Sequence, residues 1–79
     1  MRKTYFIQLE ANDLGQIIDG LREREESWQR TAEYFRSGEN AIAMFAIEEC
    51  TDEYEAEQIA QFYARIIHDL ERQRREQSA

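Results

Sequence analysis

The sequence of 79 residues contains no proline, one cysteine and one histidine. Without a second cysteine, Cys50 cannot form an internal disulfide, and no His or Cys lies near it at metal-ligand spacing. No apolar run reaches the roughly 18 residues that a membrane-spanning helix needs, and the first residues lack the pattern of a signal peptide. We therefore expect a protein of the reducing cytoplasm that makes no contact with membranes.

The motifs of catalysis and cofactor binding are lacking as well. There is no phosphate-binding loop, no glycine-rich dinucleotide turn and no nucleophile elbow. His68 is predicted to lie on a helix surface, without the positioned partner that general-base catalysis requires. The acidic residues 48–53 lack the ligand spacing and the turn glycine of a calcium loop. Since a chain this short forms one small core, we predict a single non-enzymatic domain, residues 1–79, with no cofactor and no metal.

Two segments have the features of β-strands. Residues 3–9 alternate between apolar and polar side chains, which is the pattern of a half-buried strand. Residues 41–47 are apolar on both sides, follow a turn at Gly38 and precede a helix start, which favours a buried strand. The alanines and Met44 of this second segment favour a helix instead, and the fold would then be all-α.

Two longer segments carry apolar residues at helical spacing. The first covers residues 13–36, with its N-cap predicted at Asn12 or Asp13. The second follows Asp52, which matches a capping box together with Glu55 three residues later. The predicted order β-α-β-α defines an α+β domain, in which two long amphipathic helices pack on a small sheet.

The net charge of −7 comes from one segment of the chain. Residues 37–64 contain seven acidic residues and no Lys or Arg, whereas the remainder carries ten acidic and ten basic residues. Part of this excess is explained by the positive dipole end of the second helix, which attracts carboxylates. Tyr54 falls opposite the apolar side of that helix, and an exposed ring among carboxylates is typical of a surface that recognises a basic partner. The candidate partner-binding residues are Glu48, Glu49, Asp52, Glu53, Tyr54, Glu55 and Glu57.

These carboxylates, on a short chain without motifs, make the sequence resemble the anti-CRISPR inhibitors encoded by phages and mobile elements. The resemblance implies a protein that binds a CRISPR effector complex and prevents it from binding target DNA. The carboxylates would stand in for DNA phosphates on a basic protein surface. Nucleic acid itself is not expected as a partner, because a chain of charge −7 lacks a basic face that displaces counterions from phosphates.

The alternative is a homodimeric structural or regulatory protein of unknown partner, whose acidity serves only solubility. A two-stranded sheet is marginal unless helices cover it or a second chain extends it. Dimerisation through a strand edge or through the Trp28 side of the first helix would supply that cover.

Overall fold

The computed structural model describes residues 2–38 and 47–78, which form two helices packed as an antiparallel hairpin. Helix α1 spans Ala11–Ser37 and helix α2 spans Glu53–Gln77. The molecule measures 45 × 32 × 18 Å. The predicted α+β fold is therefore wrong, because the described residues form an all-α hairpin without strands.

The first predicted strand is not formed, and no segment among the described residues lies beside it as a strand. Residues 2–10 precede α1 without regular secondary structure, and every one of them is exposed. Alternation along a segment produces a strand only where a neighbouring strand supplies the hydrogen bonds of a ladder. The second predicted strand, residues 41–47, lies outside the described residues except for Ile47, which is not in a strand.

Helix α1 begins two residues earlier than predicted. The backbone N–H of Leu14 donates to the carbonyl of Glu10 at 3.0 Å, and Glu10 is the N-cap although its side chain accepts no capping hydrogen bond. Asn12 and Asp13 lie inside the first turn, so the prediction that one of them caps the helix is wrong. A carboxylate at Asp13 still interacts favourably with the positive end of the helix dipole.

The predicted end of α1 and the predicted start of α2 are both confirmed. Gly38 has a φ of 67°, and its N–H donates to the carbonyl of Tyr34 at 2.9 Å. At the start of α2, the Asp52 carboxylate accepts from the backbone N–H of Glu55 at 2.8 Å. In a standard capping box, the Glu55 carboxylate would accept from the backbone N–H of the cap residue, Asp52. Here it accepts from the preceding residue instead, the backbone N–H of Thr51, at 3.0 Å. A hydrogen bond from the Thr51 hydroxyl reinforces it.

The hairpin is closed by small side chains near the loop. The buried cluster there consists of Trp28, Ala32, Ala56 and Ala60. Alanines at the contact let two helices approach closely, since the interaxial distance depends on the side chains between them. Farther from the loop, the larger side chains of Ile18 and Ile67 fill the space between the helices and are buried.

Two contacts define the register of the helices. Arg36 binds Glu53 near the loop, and Arg22 binds Glu71 near the chain ends. Residues 25 and 65 therefore lie at about the same level along the hairpin. We call residues 25–38 and 47–64 the loop half, and residues 2–24 together with 65–78 the open half.

Candidate functional site

The hairpin places all seven predicted partner-binding residues in the loop half. Asp52 is the N-cap of α2, and four of the others lie in its first turns. Glu48 and Glu49 precede the cap. These residues lie together because they are close in sequence. Their hydrogen-bond and ion-pair partners depend in addition on how α1 packs beside them.

Arg36 of α1 forms ion pairs with carboxylates of both helices. Its Nε lies 2.8 Å from Glu53 Oε1 and its Nη2 lies 2.9 Å from Glu57 Oε1, while Nη1 pairs with Glu33 of the same helix. The hydrogen bond from Arg36 lowers the pKa of Glu53, and the same carboxylates raise the pKa of Arg36. Two of the predicted binding residues therefore link the helices at the loop end.

Glu48 is engaged by α1 on another side of the hairpin. Its carboxylate accepts from the Ser27 hydroxyl at 2.8 Å, and its backbone N–H donates to the Thr31 hydroxyl oxygen at 2.9 Å. Thr31 is fully buried and donates to the carbonyl of Ser27 at 2.9 Å. These two residues attach the segment before α2 to α1, and sequence reasoning missed them. The available signal was a threonine beside the apolar stripe of α1, where a hydroxyl needs hydrogen-bond partners.

The remaining predicted residues differ in whether they make hydrogen bonds within the described part of the hairpin. Asp52 and Glu55 serve the α2 cap, and the hydrogen bonds from Thr51 lower the pKa of Glu55. Glu49 is exposed, and no described side chain donates to it. The Tyr54 side chain is 70% exposed. Glu49 and Tyr54 are thus the two predicted residues without a structural role in the described part of the hairpin.

The charge of the chain is separated along the hairpin axis. The loop half contains nine acidic residues and two basic ones, Arg30 and Arg36, which gives a formal charge of −7 for its described residues. The open half contains seven acidic and eight basic residues, which gives +1. Internal ion pairs therefore neutralise only a small part of the charge of the loop half, and a negative field surrounds that end of the molecule.

Two grooves flank the helix pair. One of about 540 Å³ opens beside Arg36, and small alanines and polar side chains line it, among them Ala32, Ala64, Glu57 and Gln61. The other, of about 640 Å³, lies in the open half between the N-terminal residues and the helices, lined by Tyr5, Ile7, Leu9, Leu14 and Leu70. Neither lining includes a histidine or a cysteine, or a nucleophile paired with a base.

Comparisons with protein-family models, with curated proteins and with solved structures found no match. Neither described helix is long and apolar enough to cross a membrane.

Cys50 is a free, packed thiol, and the described acidic residues form no metal-binding cluster. Cys50 is half-buried and packs against the Trp28 cluster. Burial raises the pKa of its thiol, and the charges of Glu55 and Asp52 raise it further, so the nucleophilic thiolate is disfavoured. Across residues 2–38 and 47–78, no group of three or more His, Cys, Asp or Glu side chains is arranged to hold a metal ion.

Proposed function

We propose that this chain is a non-enzymatic interaction module of the cytoplasm, which binds and blocks a basic, nucleic-acid-binding surface of another protein. The charge separation between the loop half, at −7, and the open half, at +1, carries the proposal. A surface of one sign steers a partner of the opposite sign and raises the rate of association. The loop half is therefore the end that meets the partner.

Tyr54 and Glu49 supply the contacts on that end. An exposed tyrosine offers a large contact area at a low cost in side-chain entropy, and aromatic residues are enriched among binding hot spots. The neighbouring carboxylates are held by Arg36 and by the α2 cap, so less conformational entropy is lost when the partner binds. The exposed Glu49 adds charge that no described side chain neutralises.

The partner that best fits the resemblance to anti-CRISPR inhibitors is a CRISPR effector complex. Such a complex holds nucleic acid in a positively charged channel. Carboxylates spaced along the start of α2 would occupy sites for phosphates there and deny them to target DNA. DNA itself would be repelled by the loop half.

The test is a mobility-shift assay of target DNA with a panel of guide-loaded effector complexes, titrated with the wild-type chain. We expect at least one complex to lose DNA binding, and this inhibition to weaken as salt rises, because salt screens exposed charges. The double variant Glu49→Lys with Tyr54→Ala should inhibit at least tenfold more weakly. A matched control is Glu23→Lys, which makes the same change in charge at an exposed position of the open half.

Circular dichroism establishes that each variant keeps its helices before the comparison is made. Full inhibition by the control and weak inhibition by the double variant would support the loop half as the binding end. Equal weakening of both would show that only total charge matters and contradict the site. Undisturbed DNA binding by every complex would contradict a CRISPR effector as the partner.

A further inference from the structure

The N-terminal segment, residues 2–10, combines exposed apolar side chains with a backbone that has no partner. The side chains of Tyr5 and Ile7 are 72% and 74% exposed, and Phe6 between them is fully exposed. Within the described part of the chain, no backbone–backbone hydrogen bond involves residues 3–9. Apolar extended chain with unpaired N–H and C=O groups is a template on which another chain can pair.

The segment already has the side-chain alternation of a strand. The Lys3 ammonium lies 5.4 Å from the centre of the Tyr5 ring, so these two side chains, two residues apart, are on the same side. Tyr5 and Ile7 border the groove of the open half together with Gln8, whereas Phe6 is directed to solvent. A strand would need, in addition, a neighbouring chain that completes the hydrogen bonds of a ladder.

We propose that two copies of this chain dimerise through residues 2–10, which pair as antiparallel strands with Phe6 opposite Phe6. In the single chain the segment is not a strand, and each copy supplies the partner that the other lacks. A twofold axis through the Phe6 pair relates the copies, so every other contact occurs twice. A two-stranded ribbon is stable only when it packs on other elements. Here its apolar side lies over Leu14 and Leu70, which border the same groove.

The sequence of the segment is self-complementary in this register. Residues at equal distances from Phe6 face each other, which places Arg2 opposite Glu10 at both ends of the ribbon and Tyr5 opposite Ile7 on the side of the groove. Opposite charges and aromatic–β-branched pairs stabilise antiparallel strands when they face each other. A shift of one residue would mix apolar and polar side chains on one side, and a shift of two would separate Arg2 from Glu10. Charge complementarity therefore selects a second copy and this register.

The strand pairing does not rest on the proposed function. Residues 2–10 belong to the open half, and Gly38 lies about 40 Å from Glu10 along α1. The acidic residues of the loop half would therefore stay uncovered in the dimer. Failure of one proposal leaves the other standing.

Sedimentation equilibrium on the full chain tests the pairing, and we expect twice the mass of 9.5 kDa. Glu10→Arg brings like charges together at both ends of the ribbon and should raise the dimer dissociation constant about tenfold. Arg2→Glu should have the same effect. The two substitutions combined restore opposite charges and should return the constant to near that of the wild type. Glu23→Arg, at an exposed position within α1, is the charge-matched control and should leave the dimer intact.

Disulfide trapping tests the register. In a Cys50→Ala background, Phe6→Cys places two thiols directly opposite each other, at a Cα separation of about 4.5–5.5 Å that suits a disulfide. Gln8→Cys is the matched control, because its two copies would lie about 13 Å apart along the ribbon. Under mild oxidation we expect a covalent dimer from Phe6→Cys alone. Circular dichroism checks that every variant keeps its helices.

Three results would overturn the proposal. A mass of one chain at millimolar concentration would exclude the second copy and favour a strand of another protein as the occupant of this segment. A double variant of Arg2→Glu with Glu10→Arg that dimerises no better than the single variants would contradict the charge pairing. Equal trapping of Phe6→Cys and Gln8→Cys would contradict the register.

Discussion

The loop half and the open half of the hairpin are stabilised in different ways. In the loop half, Trp28 packs with three alanines, Arg36 joins the helices, and both helix ends carry local caps. In the open half, Ile18 and Ile67 are buried between the helices. The ion pair of Arg22 with Glu71 joins α1 and α2 there.

The open half also contains features that weaken a helix pair. Gly15 and Gly20 lie within α1, where glycine costs backbone entropy and contributes no side chain to packing. The start of α1 has no side-chain cap, and residues 2–10 before it are exposed. The comparison indicates that specific contacts are concentrated near the loop, while the open half depends more on helix propensity and on the packing of Ile18 and Ile67.

The largest expected effect is that of Trp28→Ala in the loop half. Trp28 is 8% exposed at the centre of the cluster, and truncating a buried tryptophan costs about 3–5 kcal/mol in free energy of unfolding. Ile67→Ala in the open half removes fewer atoms and should cost nearer to about 2 kcal/mol. Urea denaturation at a fixed protein concentration measures both. If Ile67→Ala lowered the free energy of unfolding more than Trp28→Ala, the open half would contribute more to stability than the loop half, contrary to our expectation.

The two helix starts should respond differently to loss of an acidic side chain. Asp52→Ala removes the hydrogen bond to the Glu55 backbone and should lower the free energy of unfolding by about 1 kcal/mol. Asp13 lies in the first turn of α1, whose start has no side-chain cap. Asp13→Ala should lower the free energy of unfolding by only about 0.3 kcal/mol, because Asp13 contributes mainly through the helix dipole. Thermal melts followed by circular dichroism compare them. Equal losses would show that Asp13 contributes as much as a capping residue.

Gly20→Ala should strengthen the open half. No atom lies within 4 Å of the position that a Cβ would take, so alanine should add about 0.5–1 kcal/mol to the free energy of unfolding. The same substitution at Gly38 should lower stability, because a φ of 67° is strained for alanine. Urea titrations of the two variants give opposite signs. A destabilised Gly20→Ala would contradict the open space at this position.

The smallest expected effect is the acid sensitivity of the Arg36 cluster, whose side chains are partly exposed and screened by salt. The pKa of Glu53 is lower in the folded chain than its ordinary value of 4.5, and that of Glu55 is lowered as well. Their contribution is complete above the unfolded pKa and is lost as pH falls through the folded pKa. The melting temperature should therefore fall as pH decreases below about 4.5.

Arg36→Gln tests which carboxylate is responsible. It should lower the melting temperature at pH 7 and reduce the further loss at acid pH, because Glu53 no longer has its cationic partner. Part of the acid loss should persist, since Glu55 is stabilised by Thr51 instead. Arg72→Gln, whose ion pairs lie within α2 of the open half, is the control. An identical pH profile for the two variants would contradict the assignment to Arg36.

Much of the helical structure follows from the sequence alone, because its signals are local. The apolar spacing and the end at Gly38 are contained within α1, and the cap at Asp52 involves residues only three apart. The start of α1 was misplaced because several neighbouring polar residues could act as caps, and the structure uses the backbone of Glu10. The strand predicted over residues 3–9 was wrong for another reason. Alternation is also local, but a strand exists only when a partner strand pairs with it.

The sequence by itself placed the candidate site in residues 48–57, where acidic residues and Tyr54 are close along the chain. Only the tertiary structure decided which of them have a hydrogen-bond partner among the described residues. Arg36 and Glu57 are 21 residues apart, as are Ser27 and Glu48, and they meet because the hairpin brings α1 against α2 and the segment that precedes it. No local pattern encodes such pairs. Once these pairs are formed, Glu49 and Tyr54 are the predicted residues that have no structural role in the described part of the hairpin. The surplus of negative charge remains beside them. The reason is that the packing of distant segments determines the side-chain partners of a carboxylate.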